Sequence, residues 1–113
     1  MTPSDLDALV LAFPETQPGT THGSPSYKAA GKFLTRLRAE DDSLVLYVDG
    51  LDHRDMLIEA EPETFHITDH YRGYPIVLAR LAQVDAAWLR ATLEKRWLQI
   101  VPKRLARAYL DAP

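Results

Sequence analysis

The stretch Ser26-Tyr27-Lys28-Ala29-Ala30-Gly31-Lys32-Phe33-Leu34-Thr35-Arg36-Leu37-Arg38, continued by Glu40-Asp41-Asp42-Ser43 and Leu44-Val45-Leu46-Tyr47-Val48, decides the fold class. Its hydrophobic period is two. Phe33, Thr35 and Leu37 point one way, while Lys32, Leu34, Arg36 and Arg38 point the other. The polar cluster at 40–43 predicts a hairpin turn, and Leu44–Val48 is rich in strand-forming residues. Three antiparallel strands beginning near Pro25 are the expected arrangement.

Toward the N-terminus the period changes to that of a helix. Thr2 is placed to cap it, Pro3 suits its first position, and Leu6, Leu9, Val10 and Phe13 share a face before Pro14 ends it. Glu15–Thr21 is rich in turn formers and is predicted as a connection. Beyond the strands, Asp52 is the expected cap of a second helix with Met56, Leu57 and Ala60 as its apolar stripe. Phe65–Thr68 predicts a short strand, Asp69–Pro75 an aromatic loop, and Ile76–Leu81 another strand. Asp85 caps a long helix with Leu89, Leu93, Trp97 and Ile100 on its buried face; Pro102 breaks it, and a basic helix runs from Lys103 to Leu110. The order is α-βββ-α-ββ-α(α). It predicts one α+β domain over residues 1–113, a two-layer structure with a five-stranded antiparallel sheet and helices on one face.

At 113 residues and 46% hydrophobic, the chain has material for one core without staples. Cysteine is absent, which excludes disulfides and thiolate metal sites. The first residues lack the basic stretch and long apolar run of a signal peptide, and no membrane span is expected, so the expected location is cytoplasmic.

The net charge of −3 is unevenly distributed. Residues 1–24 carry −3, residues 25–38 carry +4, residues 39–69 carry −9 with Arg54 as the lone base, and residues 70–113 carry +5. Should the two basic segments meet in space, they form a positive face that the bulk charge conceals. Lys28, Lys32, Arg36 and Arg38 on the hairpin, with Lys103, Arg104 and Arg107 on the last helix, are then the candidate contacts to phosphates of duplex DNA. The alternative is that the blocks neutralise one another across the fold. The sequence pI of 5.7 favours that alternative, because dedicated DNA-binding domains usually lie above about 9.

Three motifs resemble one known family. His22-Gly23-Ser24-Pro25-Ser26-Tyr27-Lys28 with Gly31-Lys32-Phe33 is similar to the first signature of the MmcQ/YjbR family. His70-Tyr71-Arg72-Gly73-Tyr74-Pro75 with Arg80-Leu81 resembles its second, and Trp97 with Val101-Pro102-Lys103-Arg104 resembles its C-terminal end. Asp69 departs from the Pro that the family tends to place before the His-Tyr pair. The resemblance implies a fold like the type III secretion chaperones, helix, three strands, helix, two strands, helix. It also implies a proposed "double wing" DNA-binding role.

Other chemistry finds less support. His22, Tyr27, His70, Tyr71, Arg72 and Tyr74 are candidates for a pocket or for stacking on bases, although such residues also serve half-buried loops. His66, Asp69 and His70 have a spacing that suits a metal only on a helix, and this segment is predicted as strand and loop, so no metal or other cofactor is expected. There is no Gly-x-Ser-x-Gly elbow and no Gly-rich phosphate loop, so no catalytic residue is assigned. The remaining class is a protein- or small-ligand-binding module using the Tyr71–Pro75 loop or the surface of Trp88, in a monomer or weak dimer.

Overall fold

A computed structural model describes residues 1–112. Helix α1 spans Pro3–Leu11, and β1 (Thr16–Thr21), β2 (Ser24–Ala29), β3 (Lys32–Arg38) and β4 (Ser43–Tyr47) follow. Helix α2 (Leu51–Ala60), β5 (Phe65–His66), β6 (Ile76–Arg80), α3 (Ala86–Ile100) and α4 (Lys103–Asp111) complete the order. The sheet is antiparallel throughout, in the order β1-β2-β3-β4-β6-β5.

The α+β, one-sided architecture agrees with the sequence, but the sheet has six strands and not five. The additional strand is β1, Thr16-Gln17-Pro18-Gly19-Thr20-Thr21, expected as a connection. It is an edge strand with no buried residue, so it needs no apolar alternation, and its only requirement is backbone pairing with β2. Pro18 is tolerated there because an edge leaves one side of the strand without a partner.

Helix α1 starts as expected, with Thr2 and Asp5 forming a reciprocal capping box. Asp85 likewise caps α3 by accepting from the N–H of Trp88 at 2.8 Å. Helix α2 departs from expectation. Its N-cap is Gly50, Asp52 lies in its first turn, and its buried residues are Arg54 and Leu57, while Met56 is exposed.

The sheet has two unlike faces. Leu44 and Leu46 of β4 and Val77 and Ala79 of β6 join the main core under the helices. Val45, Ile76 and Leu78 alternate onto the other side, where Tyr71, Phe33 and Tyr47 form a small second cluster. A bulge in β3 breaks the expected alternation. Tyr27 pairs with Thr35 and Lys28 with Phe33, which leaves Leu34 unpaired. Leu34 and Thr35 are consequently both buried, and Lys32 shares the face of Ala29 while Arg36 and Arg38 point away from it. Before Leu37 the pairing of β3 with β4 stops, and there the Thr35 hydroxyl donates to the Val45 carbonyl at 2.8 Å in place of a ladder bond.

Trp97 is fully buried among the helices and donates its indole N–H to the Pro14 carbonyl at 2.9 Å. Phe13 and Tyr109 lie against it, with ring centroids 6.2 and 4.8 Å away. Tyr27, also buried, donates its phenol to Asp7 Oδ1 of α1 at 3.0 Å. Burial, then the Asp7 hydrogen bond and charge, push the Tyr27 phenol up to about 12 from 10.0. Protonated Tyr27 is thus favoured by the fold. Its stabilising contribution is complete below about pH 10 and fades as the pH rises through about 12. Denaturant unfolding followed across this alkaline range should show stability falling, with one tyrosine ionising after the rest. Tyr27→Phe should cost about 1 kcal/mol at neutral pH and flatten that alkaline decline.

Candidate functional site

The hairpin bases do not form one row. The bulge in β3 sets Lys32 on the helical side, whereas Lys28, Arg36 and Arg38 are on the open face of the sheet. There the two arginines are already engaged. Arg38 pairs with Glu40 at 3.1 Å and Asp41 at 3.0 Å, its side chain is 12% exposed, and its guanidinium lies 5.9 Å from the Tyr71 ring. Glu40 is held below the usual carboxylate range by its own backbone N–H and then by Arg38. Arg36 donates to the Tyr71 hydroxyl at 3.1 Å. Both arginines therefore contact Tyr71, Arg38 with its charge paired to acids and Arg36 without an acidic partner among the described residues.

Tyr71 sits at the end of a 3-10 turn, Asp69–Tyr71, which opens on the residue where the resemblance implied Pro. It is buried on Val45, Ile76 and Leu78, with His70 edge-on at 4.8 Å. Asp69 pairs instead with Arg72 on the surface, and this carboxylate raises the Arg72 guanidinium further above its ordinary value. The loop is fixed by Arg54. This buried guanidinium donates from Nη1 to the carbonyls of Arg72 (2.7 Å), Tyr74 (3.2 Å) and Tyr71 (3.5 Å), and from Nε to Asp55 at 2.9 Å. Sequence reasoning did not single Arg54 out. The signal was present, however, since a lone base among ten acids in residues 39–69 needs a reason to be there.

Of the six pocket candidates, His70, Tyr71, Arg72 and Tyr74 are brought together by this loop. Tyr74 and His70 are exposed, Arg72 is paired with Asp69, and Tyr71 is packed below them. Tyr27 is in the core on the opposite side of the sheet, and His22 is exposed in the β1–β2 turn with φ 51°. His66 does not join His70 in a metal site. Its Nε2 lies 2.9 Å from the Ser43 hydroxyl and 3.6 Å from Asp41. Burial first, and then the charge of Arg80, hold the His66 imidazole below its ordinary value.

The last helix presents a different surface. Leu105, Ala106 and Tyr109 pack on the core, and the Tyr109 hydroxyl donates to Glu94 of α3 at 2.6 Å. Lys103, Arg104 and Arg107 are exposed, and among the described residues they form no ion pair. Because α4 packs on the helical core while Arg36 and Arg38 contact Tyr71 on the open face, the two groups lie on opposite sides of the sheet. Lys32 is at the helical side's edge. The Ala30 N–H beside it bonds Glu15 at 2.9 Å, next to the Pro14 carbonyl that accepts from Trp97.

Trp88 is half-buried, covered on one side by Phe65 with ring centroids 4.8 Å apart. It lines a cleft of about 200 Å³ between the end of β4, the start of α2 and α3. Tyr47, His53, Lys95 and Arg96 also face this cleft, and none of them is among the six pocket candidates read from the sequence. Along α3, Trp88, Thr92, Lys95 and Gln99 follow one another at steps of three and four and mark a second stripe beside the buried one. No helix among the described residues is long and apolar enough to cross a membrane.

Comparison with known proteins gives a single family. A family model described as YjbR matches residues 11–99. Relatives include an uncharacterized protein of Mycobacterium bovis and two of Mycobacterium tuberculosis. Each is 34% identical over 89 residues, covering 76% of this chain and 69% of the relative. No solved structure matches the chain.

Two outcomes test the geometry of this face. Arg54→Met retains the aliphatic body but removes a donor from three carbonyls, of which those of Tyr71 and Tyr74 keep a backbone partner and that of Arg72 does not, so it should destabilise the fold by about 1–3 kcal/mol in urea unfolding. Amide exchange should accelerate most at residues 71–76. The His66 shift gives the opposite pH sense to Tyr27. A depressed folded value means stability is complete above 6.5 and is lost as the pH falls below it. His66→Gln should reduce that acid sensitivity, as read from unfolding midpoints between about pH 7 and pH 5.

Proposed function

The chain belongs to the YjbR family, and from that premise we propose that it is a non-enzymatic nucleic-acid-binding protein whose phosphate contacts come chiefly from its last helix. The observation that carries this reading is the outward face of α4. Lys103, Arg104 and Arg107 lie at i, i+1 and i+4, all exposed and all without an acidic partner among the described residues. On α3, by contrast, two of the three bases are paired with acids, Arg90 with Glu94 at 3.2 Å and Lys95 with Asp49 at 2.5 Å.

A helix can serve as a rigid row of charges only if it is fastened to the domain. Tyr109 does this, by packing on Trp97 and by bonding Glu94. Lys32 is the hairpin base we assign to the same side, and Lys28 is a separate exposed contact on the open face. Arg36 and Arg38 belong in this reading to the support of Tyr71 and not to the phosphate surface.

Few free cations and a net charge of −3 together imply weak binding with little sequence preference. Three phosphate contacts correspond to a slope of log K against log salt of about −2.7, from roughly 0.9 per contact. Fluorescence anisotropy with a labelled duplex should show binding at low salt with a slope near that value. Replacing Lys103, Arg104 and Arg107 together by Ala should abolish it without loss of fold, whereas Lys28→Ala should reduce it only slightly. Failure to bind at about 20 mM salt, or binding indifferent to the triple replacement, would reject the proposal.

A further inference from the structure

The cleft between β4 and α3 has a chemistry of its own, independent of the nucleic-acid reading. Tyr47 and Asp49 come from the end of β4 and the residues after it, His53 from the first turn of α2, and Trp88, Lys95 and Arg96 from α3. Asp49 is the one acid of the lining, and it is already occupied. It accepts from Lys95 at 2.5 Å, and this bond is the first cause holding its carboxyl below the usual range, while His53 lies 3.6 Å away.

Arg96 stands apart from this arrangement. Its guanidinium stacks on the Tyr47 ring at 3.9 Å, a distance that desolvates one face of the cation. Its Nε is buried without any hydrogen-bond partner, and its one protein hydrogen bond is a long 3.5 Å contact to Gln99 Oε1. Among the described residues it pairs with no acid. A half-buried guanidinium ordinarily has several hydrogen bonds and a counter-charge, because desolvating it otherwise costs free energy. Here the single acid of the cleft, Asp49, is taken up by Lys95, and the walls are an aromatic ring and small apolar groups such as Val48 and Ala91.

We propose that this cleft binds a small organic anion, one carboxylate or phosphate on a single planar ring, with the acid group on Arg96 and the ring against Trp88. The charge follows from the unpaired guanidinium. The planar body follows from the Trp88 wall, and its size from the volume of about 200 Å³. An apolar cavity of about 150 Å³ already accepts benzene, so one substituted ring fits and a nucleotide does not. Arg is suited to this task because its planar fork matches either acid bidentately.

The probes are benzoate and phenyl phosphate, with benzyl alcohol and inorganic phosphate as controls, followed by ¹⁵N–¹H correlation spectra of the full chain. At least one ring anion should shift the Trp88 indole signal and the amides of residues 91–96 saturably, in the millimolar range or tighter, while the Trp97 indole stays put. The comparison of benzoate with phenyl phosphate tells which acid is preferred. Arg96→Gln should weaken this binding about tenfold or more, and Arg96→Lys should restore part of it. Arg104→Ala, on the last helix, should leave it unchanged. Ala91→Trp, which fills the cleft while retaining Arg96, should abolish it and supplies the test should Arg96→Gln fail to fold. Absence of saturable shifts up to about 10 mM, equal binding of benzyl alcohol, or binding indifferent to Arg96→Gln or Ala91→Trp would overturn the proposal.

Discussion

The indole N–H of Trp97, a fully buried side chain, donates to the carbonyl of Pro14 across 83 residues of sequence. Pro14 lies two residues past the cap of α1, where its carbonyl has no helical N–H to accept from and takes the indole, with the Thr16 hydroxyl 3.4 Å away. The next residue, Glu15, has a positive φ of 56° and accepts from Ala30, which starts β1 in register with β2. One buried side chain therefore joins the end of the first helix, the edge of the sheet and the long helix. Phe13 and Tyr109 complete the same cluster, so the last helix depends on it as well. Truncating an aromatic side chain of this kind typically costs about 3–5 kcal/mol, a large share of the stability of a domain this size.

The sheet separates two sets of charges by the same logic. On the helical side, the apolar stripe of α4 is used up in packing, and its bases are left facing outward. On the open side the bases have been drawn into the structure. Arg36 and Arg38 hold Tyr71 from the strand side, and Arg54 holds the backbone of its loop from α2. Tyr71 is thus surrounded by three guanidinium groups with different partners, which explains how an irregular loop can be packed on a half-open sheet face. Arg38 and Arg54 contribute to stability more than to long-range attraction, since their charges are balanced locally by Glu40 and Asp41 and by Asp55.

The fold was legible wherever one face of an element is apolar. The stripe Leu89, Leu93, Trp97, Ile100 and the alternation in Leu44–Tyr47 each predicted the burial that is found. The capping signals at Thr2 and Asp85 were equally local and equally reliable, because a cap needs only residues three positions away. Legibility failed at β1, where an edge strand of polar residues leaves no pattern, and in α2, where the buried residue is an arginine. It failed again at the β3 bulge, because one unpaired residue reverses the facing of those before it. Lys32 was therefore grouped with Arg36 and Arg38, which lie on the other side.

Periodicity, caps and turn residues fix which segments are helices and strands, since these depend on neighbours within a turn or a pleat. The chain by itself thus determined a one-sided α+β domain, its family signatures, and which basic and aromatic side chains are available. Only the tertiary structure decided which of those side chains are spent on holding the fold and which remain at the surface. That division rests on contacts between residues remote in sequence, Trp97 with Pro14, Arg36 with Tyr71, Arg96 with Tyr47, and desolvation and pairing exist only once such groups have met.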